Sequence, residues 1–285
     1  MAATAYRTQY AMELIAQFEQ RQSLLRDTVT TEYRREEGGT SIVFLVEGSG
    51  SATAVTRGAD GLIPPRNQNK TQYTATVSEW HDLPRQTGFN MWASQGGSQA
   101  RQTMQRDSIG VLNRKIDADI IAALDTGTVN TGTAAPASVA QFQHAMALLG
   151  AGSVPWDGNI TLLCSSGYLG YLQQAPEFSS ADYVTIRPME NGGDWRDQPQ
   201  AMRWRNVLII PHPQLTLNTS AEVAYLYHKT AVGHAADMPV ANQAAGYNEE
   251  QDYSWARASG FFGTKVCQNS GIVVINHDAS GLAAG

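Results

Sequence analysis

Apolar residues recur at helical spacing in three segments of the chain. In the N-terminal segment, which is predicted to form a first helix, they are Tyr10, Leu14, Phe18, Leu24 and Leu25. The longest helical pattern runs from Ser94 to Gly127, where glycine and threonine residues end it. The expected core face of this long helix comprises Met104, Ile109, Leu112, Ile116 and Ile120. The segment PASVAQFQHAMALLGAG predicts a further helix.

Two strand patterns flank a long glycine-rich stretch. The apolar run SIVFLVE has the length of a strand, and in NKTQYTATVSEW the residues Tyr73, Ala75 and Val77 alternate with polar ones. The stretch between them, from Val46 to Pro65, is rich in Gly and also contains Pro and Asp. Loops of this length are uncommon in compact domains, and an isolated hairpin is marginally stable in water. The pattern therefore predicts a two-stranded arm whose far end needs a surface to lie on.

Strand and helix patterns are mixed in the second half of the chain. Strands are predicted at ITLLCS, WRNVLIIPHP, AEVAYLYHKTAVGHA, YSWARASGFFGTKV and GIVVINH, and a helix at GYLGYLQQA. A polar stretch from Pro176 to Gln200 shows neither pattern. Because strands and helices do not alternate regularly, the sequence predicts the α+β class instead of a doubly wound sheet.

The glycine-rich stretch does not match a nucleotide-binding loop. A phosphate-binding loop needs a lysine followed by Ser or Thr at the start of a helix, and GSGSATAVTRG has no such lysine. In a dinucleotide-binding fingerprint the third glycine would fall at position 53, which is Thr53. We therefore predict no bound cofactor.

Residue types that carry chemistry are not spaced as in known catalytic or metal sites. The six histidines form no ligand pair, and the sequence contains no G-x-S-x-G motif. Cys164 and Cys267 form no CxxC motif and are expected to be reduced, structural thiols. Asp117 and Asp119 lie two residues apart on the predicted long helix, so they should point to different sides, and we expect both to be solvated. The sequence predicts no catalytic residue and no metal site.

Charge and composition limit the possible partners. The chain of 285 residues has a net charge of −6, and its basic residues are scattered. Proteins that grip nucleic acid tightly normally show a basic excess or stripe, so tight direct binding is not expected. Charged residues form only 16% of the chain, which favours contact with other protein surfaces because charge is depleted in interface cores. The N-terminus does not resemble a secretory signal, and no run is long enough to span a bilayer.

The order of predicted elements, together with several short stretches, resembles the major capsid protein of tailed bacteriophages with the Hong Kong 97-like fold. These stretches are GLIPPRNQNKTQYTATVSEW, NRKIDADIIAAL, WRNVLIIPHPQL and AYLYHKTAVGHA, and they are most similar to shells of short-tailed phages. The resemblance covers nearly the whole chain. It implies a structural protein and not an enzyme, whose copies form the hexamers and pentamers of an icosahedral head that encloses double-stranded DNA.

The resemblance also implies a division of the chain. The expected units are an N-terminal arm (1–40), an extension loop formed by a long β-hairpin (41–93), a peripheral domain with a spine helix (94–134), an inserted axial domain (135–234) and returning strands of the peripheral domain (235–285). In such shells the extension loop lies across a neighbouring subunit. Contacts between subunits are therefore expected from Gly48, Gly50, Arg57, Gly58, Asp60, Gly61 and Lys70.

The partners implied by the resemblance are other copies of the chain, a portal and packaged DNA, which would be contacted weakly and without sequence specificity. Because the arm begins almost at Met1, a separate scaffolding protein is expected. Lys70 is the only lysine of the loop, and no covalent cross-link is predicted. The expected location is the virion capsid, assembled in the host bacterial cytoplasm, with no membrane contact. Alternatives are an encapsulin-like compartment, a tail or decoration protein, and an enzyme of unfamiliar α+β fold.

Overall fold

The protein is described by a computed structural model, which covers residues 19–33, 39–50, 52–66, 68–93, 97–179, 184–185, 202–217, 219–237 and 242–283. These residues form both helices and strands, and the α+β class is confirmed. The helices are α1 (Gly88–Ala93), α2 (Gly97–Leu124), α3 (Val139–Ala151), α4 (Ser166–Gln174), α5 (Pro176–Ser179) and α6 (Ser280–Ala283). Short 3₁₀ turns lie at Arg26–Thr28, Pro213–Leu215, Lys229–Ala231 and Asn269–Gly271.

The strands of the described residues belong to two large sheets and one hairpin. In chain order they are β1 (Thr30–Tyr33), β2 (Ser41–Gly48), β3 (Asn69–Thr76), β4 (Ser78–Asp82), β5 (Arg85–Thr87), β6 (Val129–Asn130), β7 (Ala135–Pro136), β8 (Ile160–Cys164), β9 (Val184–Thr185), β10 (Met202–Trp204), β11 (Val207–Pro211), β12 (Glu222–His228), β13 (Val232–Ala236), β14 (Asn242–Asn248), β15 (Tyr253–Val266) and β16 (Ile272–Asp278).

The first sheet is organised around the long strand β15. Its order is β1-β13-β15-β14, and β4 and β5 pair with β15 as well. Strand β1 runs parallel to β13, while the pairings with β15 are antiparallel. Helix α2 lies against this sheet, and Ile116, Ile120 and Leu124 on the helix belong to the same apolar cluster as Phe262 on β15.

The second sheet has the order β6-β16-β12-β8-β11-β10-β9, with β7 paired to β16. All five residues of β8 are buried, as expected for an apolar run at the centre of a sheet covered on both faces. On one face, Leu162 and Leu226 pack against a cluster that includes residues of α3 and α4. On the other face, Leu163 and Tyr225 pack with α2, so the two sheets share one core through this helix.

Serine side chains define where α3 and α4 begin. Ser138 accepts a hydrogen bond from the backbone N–H of Gln141, and Ser165 accepts one from the backbone N–H of Tyr168. Such caps satisfy backbone donors that have no partner within the helix. The capped ends orient both helices across the second sheet.

The long helix and its expected core face lie beside the shared core. Helix α2 begins at Gly97 and ends at Leu124, within the predicted range of 94–127. Leu112, Ile116 and Ile120 are buried, whereas Met104 and Ile109, nearer the start of the helix, are half-buried. Burial on this face therefore increases towards the end that contacts both sheets.

The predicted first helix differs from the structure in its second half. Tyr10, Leu14 and Phe18 lie outside the described residues, and Leu24 and Leu25 precede the short 3₁₀ turn Arg26–Thr28 instead of continuing an α-helix. The backbone N–H groups of Leu24 and Leu25 donate hydrogen bonds to the carboxylate of Asp117 on α2. A side chain from α2 thus satisfies donors that a helix would have satisfied internally.

Strand pairing distributes the last fifty residues over both sheets. The predicted boundary between residues 234 and 235 falls inside β13, and β15 stays with the first sheet. Strand β16 instead pairs with β12 of the second sheet over six residue pairs. The last strand therefore lies in the same sheet as β8 and β12, which fall within the predicted axial domain of residues 135–234.

Candidate assembly surface

The hairpin of β2 and β3 has two different faces. The strands pair antiparallel in unbroken register from Ser41 opposite Thr76 to Gly48 opposite Asn69. Phe44 lies opposite Tyr73, and Ala75 lies two positions further along the same strand, so all three side chains share the face towards the first sheet. Phe44 and Ala75 are buried there, and Tyr73 is partly buried. On the opposite face, Val43 and Leu45 are exposed. The hairpin is thus attached by one face and offers apolar side chains on the other.

Close packing fixes the base of the hairpin. Phe44 and Ala75 form a small apolar cluster with Ala235 on β13 and Cys267. Gly233 leaves room for the ring of Phe44, since a Cβ at this position would lie 2.7 Å from a ring carbon. At the end of β3 the backbone N–H of Val77 donates to the carbonyl of Thr40 at 2.8 Å. The base is therefore part of the subunit core.

Replacing Gly263 with alanine tests this attachment. A Cβ on Gly263 would overlap the carbonyl oxygen of Thr76, which is backbone and cannot rotate away. We expect Gly263→Ala to lower the free energy of unfolding by about 1–3 kcal/mol, the usual cost of overpacking. Urea unfolding of the purified subunit measures the change.

Gly150 provides a matched control for that substitution. It lies in the last turn of α3, where an added Cβ would meet no atom within 4 Å. Because alanine is favoured over glycine in helices, Gly150→Ala should be neutral or stabilise the subunit by up to about 1 kcal/mol. Equal effects of the two substitutions would show that the base of the hairpin is not tightly packed.

The distal end of the hairpin is exposed throughout its described part. Leu62 and Ile63 are 73% and 66% exposed, and Val55 is 60% exposed. The backbone of Gly58 donates to the carbonyl of Leu62, and that of Gly61 donates to the carbonyl of Gly58. Gly50 and Gly61 have φ values of 58° and 74°, which glycine adopts without strain. We call residues 49–68 the hairpin tip.

The residues expected to contact other subunits fall into two groups. Gly48, Gly50, Arg57, Gly58, Asp60 and Gly61 are all exposed on or next to the hairpin tip. Lys70 lies where the paired strands end and forms an ion pair of 2.6 Å with Glu47 of the same hairpin. The sequence prediction did not single out the apolar side chains of the tip, although exposed Leu62 and Ile63 offer more area to bury than its glycines.

A buried carboxylate joins the N-terminal segment to the long helix. Asp117 is fully buried and accepts hydrogen bonds from Ser23 Oγ at 2.5 Å, the backbone N–H of Leu24 at 3.0 Å and His212 Nε2 at 3.1 Å. Burial raises the pKa of Asp117, but these hydrogen bonds outweigh it and the net pKa is lowered. The expectation that Asp117 is solvated is therefore wrong, because a segment distant in sequence covers it.

A buried Ser–His–Glu cluster lies at one end of the second sheet. Ser165 Oγ lies 3.0 Å from Nε2 of His277, and Glu222 Oε2 lies 2.9 Å from the same nitrogen. In a catalytic triad the serine and the acid contact opposite ring nitrogens, and the serine is open to substrate. Here all three residues are buried and Ser165 also caps α4. The cluster therefore lacks the geometry for nucleophilic catalysis.

A buried histidine makes the stability of the subunit sensitive to acid. Burial, with a smaller effect of Arg26, lowers the pKa of His234 to about 4. In the unfolded chain a histidine binds a proton near pH 6.5, whereas in the folded chain His234 stays neutral until the pH approaches 4. The stability that depends on neutral His234 is therefore fully present above pH 6.5 and is lost as the pH falls towards 4. The difference between these two pKa values corresponds to a loss of about 3 kcal/mol in the free energy of unfolding. Urea unfolding between pH 7.5 and pH 4 should give a shallower pH dependence for His234→Gln than for the unsubstituted protein, and identical profiles would contradict the assignment.

Neither a metal cluster nor a membrane-spanning helix is found among the residues that the structure describes. Within this part of the chain, no group of three or more His, Cys, Asp or Glu residues is arranged to hold a metal ion. Among the described helices, none combines the length and the apolar character needed to cross a membrane.

Comparisons with known proteins agree on one family and one fold. A family model described as phage capsid protein matches residues 2–279. A solved structure from Mycobacterium phage Che8 is similar with a TM-score of 0.69 at 15% identity, over 96% of this chain and 98% of that chain. The capsid asymmetric unit of cyanophage Pam1 has a TM-score of 0.69 at 13% identity, over 99% and 98% of the two chains. The capsid of a native GTA particle has a TM-score of 0.67 at 14% identity, over 96% of each chain. Comparison with curated protein sequences finds no match.

Proposed function

The chain belongs to the phage capsid protein family, and from this membership we propose that its copies assemble into the hexamers and pentamers of an icosahedral phage head. The head would enclose double-stranded DNA, and the subunit would be built into the virion after assembly in the host bacterial cytoplasm. Membership of a structural family favours this role over that of an enzyme or of a compartment for cargo proteins.

The observation that carries the proposal is the contrast between the two ends of the hairpin. Its base is buried in the subunit, whereas Val55, Leu62 and Ile63 near its far end are exposed. Burial of apolar surface contributes roughly 25 cal/mol per Å², so these side chains favour a position against another protein surface. Residues 41–93 would then form the extension loop, which lies across a neighbouring copy.

We propose the remaining division of the chain on the same basis. Residues 1–40 would form an N-terminal arm, 94–134 the start of a peripheral domain and 135–234 an axial domain. Residues 235–285 would return to the peripheral domain, except that β16 is better counted with the axial domain because it pairs with β12.

The proposed partners besides the chain itself are a scaffolding protein, a portal and the packaged DNA. The net charge of −6 supports weak contact with DNA, because tight binding depends on neutralising many phosphates with Lys and Arg. Binding without sequence preference would suit a shell that encloses a whole genome.

Electron microscopy of the purified protein tests the proposal. The protein would be expressed alone and together with its candidate scaffolding protein. Closed icosahedral particles, or tubes and spirals made of the same subunits, are the expected result. A uniform population of monomers or dimers under both conditions would contradict the proposed assembly.

A further inference from the structure

An exposed tryptophan lies in the loop between α3 and β8. Trp156 is 54% exposed, and it is the only exposed tryptophan among the side chains that the structure describes. Backbone hydrogen bonds hold both ends of the loop: Val154 N–H donates to the carbonyl of Leu149 at 3.3 Å, and the carbonyl of Asn159 accepts from Lys229 N–H at 3.0 Å. Because the loop is already fixed, little further ordering is needed when Trp156 contacts another molecule.

Basic side chains surround this loop. A Cβ at Gly158 would lie 3.6 Å from Nη1 of Arg203, so this guanidinium is next to the loop. Arg205 follows β10, and its guanidinium lies 4.9 Å from the ring centre of Trp204. Lys229 is joined to the end of the loop by its backbone N–H. All of these basic residues are exposed. We call the following four residues the aromatic–basic patch: Trp156, Arg203, Arg205 and Lys229.

The positive charges of the aromatic–basic patch are not neutralised within the described part of the subunit. No carboxylate there forms an ion pair with its three basic side chains. The loop itself carries Asp157, which accepts hydrogen bonds from Asn159 and lies 3.0 Å from Nε2 of His228. These hydrogen bonds, those from Asn159 above all, lower the pKa of Asp157 to about 2. Three positive charges therefore stand against one negative charge at neutral pH.

We propose that the aromatic–basic patch is the surface through which the subunit contacts the sugar–phosphate backbone of duplex DNA. The inference rests on the proposed function, in which the shell encloses DNA, and it adds the residues that make the contact. Arginine and lysine bind phosphate oxygens, and the indole N–H of Trp156 is a further donor to them. Contacts to phosphate and sugar carry no sequence information directly, so the binding would not depend on sequence.

The hydrogen-bonding character of the patch favours DNA over an acidic protein segment. Arginine, lysine and tryptophan side chains offer donors and no acceptors. The outer surface of a DNA backbone presents phosphate oxygens, which are acceptors only, so the two surfaces match. A protein segment would also present backbone N–H groups, and these need acceptors that the four side chains do not supply.

The number of charges predicts a weak contact. Three basic residues can neutralise about three phosphates, and the net charge of the whole chain is −6. One copy should therefore bind DNA weakly. Many copies facing the same enclosed DNA would act together, because each bound copy raises the effective concentration of DNA at its neighbours. The DNA would then be held along the shell without tight binding at any single position.

The salt dependence of DNA binding by the unassembled subunit tests the inference. Fluorescence anisotropy of a short labelled duplex of mixed sequence gives the affinity at each salt concentration. Each lost phosphate contact should reduce the slope of log affinity against log salt by about 0.9, so Arg203→Gln combined with Lys229→Gln should reduce it by about 1.8. Arg205 is retained because it covers the ring of Trp204.

A matched control removes two basic residues from the other sheet. Arg257 and Lys265 are exposed on β15, and replacing both with Gln changes the net charge of the chain by the same amount. This control variant should keep the slope of the unsubstituted protein. If the two double variants reduce the slope equally, overall charge and not the aromatic–basic patch determines DNA binding, and the inference is wrong.

Trp156→Ala provides a second readout that does not depend on charge. Trp156 is neutral, so its removal should leave the slope unchanged and weaken DNA binding about fivefold, the typical contribution of one hydrogen bond. An unchanged affinity would remove Trp156 from the proposed contact. Because the side chain is exposed, thermal unfolding of the variant should match that of the unsubstituted protein.

The remaining outcomes separate the inference from the proposed function, which electron microscopy tests independently. If particles form but the unassembled subunit binds no DNA at low salt, the inference fails although the shell is real. If the patch variants keep the slope and lower the yield of closed particles, the patch binds an acidic protein surface and the inference is again wrong. If no particles form and the slope still falls as expected, the patch binds DNA and the proposed shell is contradicted.

Discussion

Removing the hairpin tip should abolish closed shells and leave the subunit folded. The variant replaces residues 49–68 with Asn-Gly, which joins the paired residues Gly48 and Asn69 through a tight two-residue turn. The described residues of the tip are exposed and contribute little burial to the subunit. The shorter loop also costs less closure entropy, so the melting temperature should stay the same or rise slightly. The subunit would lose Leu62 and Ile63, which are 73% and 66% exposed, and with them the contact that we propose between copies.

Two measurements separate assembly from stability in this experiment. Electron microscopy should show no closed particles for the tip-deleted variant, while its thermal unfolding remains cooperative. Phe44→Ala at the hairpin base provides the contrast, because loss of a buried phenylalanine typically costs about 3–5 kcal/mol. A tip-deleted subunit that fails to fold would show that the tip belongs to the core.

The sequence predicted much of the secondary structure because those patterns are local. The run at Ile42–Val46 and the alternation at Tyr73–Val77 lie where the structure has β2 and β3. The all-apolar β8 and the capped α3 lie where ITLLCS and PASVAQFQHAMALLGAG predicted a strand and a helix. In each case the apolar side chains that face the core lie within the segment itself, so their spacing along the sequence was enough to predict the element.

Elements fixed by distant partners could not be predicted in this way. Strand β14 has the sequence NQAAGYN, in which apolar and polar residues do not alternate, and it is extended because all seven residues pair with β15. The single predicted run at residues 69–80 divides at Val77, where the chain leaves the hairpin and joins the first sheet as β4. The hairpin register is local, but the surface that buries Phe44 comes from β13 and Cys267.

The two aspartates of the long helix show the same limit most clearly. Spacing alone indicated that Asp117 and Asp119 point to different sides, and they do: Asp117 is buried whereas Asp119 is only partly buried and pairs with Lys115. Which of them would be buried depended on residues 20–25 and on His212, more than ninety positions away. No local pattern contains that information.

Asp117→Asn should destabilise the subunit strongly. The groups around this side chain are all donors: Ser23 Oγ, the backbone N–H groups of Leu24 and Leu25, the amide of Gln20 and Nε2 of His212. The backbone N–H of Gln214 donates to Nδ1 of His212, so Nε2 carries the proton and donates as well. An asparagine has a single oxygen, and its NH₂ group would face donors. A buried donor left without an acceptor typically costs about 1–3 kcal/mol, and more than one donor loses its acceptor here.

Asp119→Asn, two residues further along the helix, is the matched control. Its carboxylate pairs with Lys115 at i,i+4 in a partly exposed position, and such pairs contribute about 0.3–0.5 kcal/mol. Urea unfolding of both variants at neutral pH should therefore give midpoints that differ strongly, with the control close to the unsubstituted protein. Because Asp117 holds the segment of residues 20–25 against α2, limited proteolysis should also cut that segment faster in Asp117→Asn. Similar midpoints for the two variants would mean that the buried donors find other acceptors. Asp117 would then not be the residue that holds the N-terminal segment against the long helix.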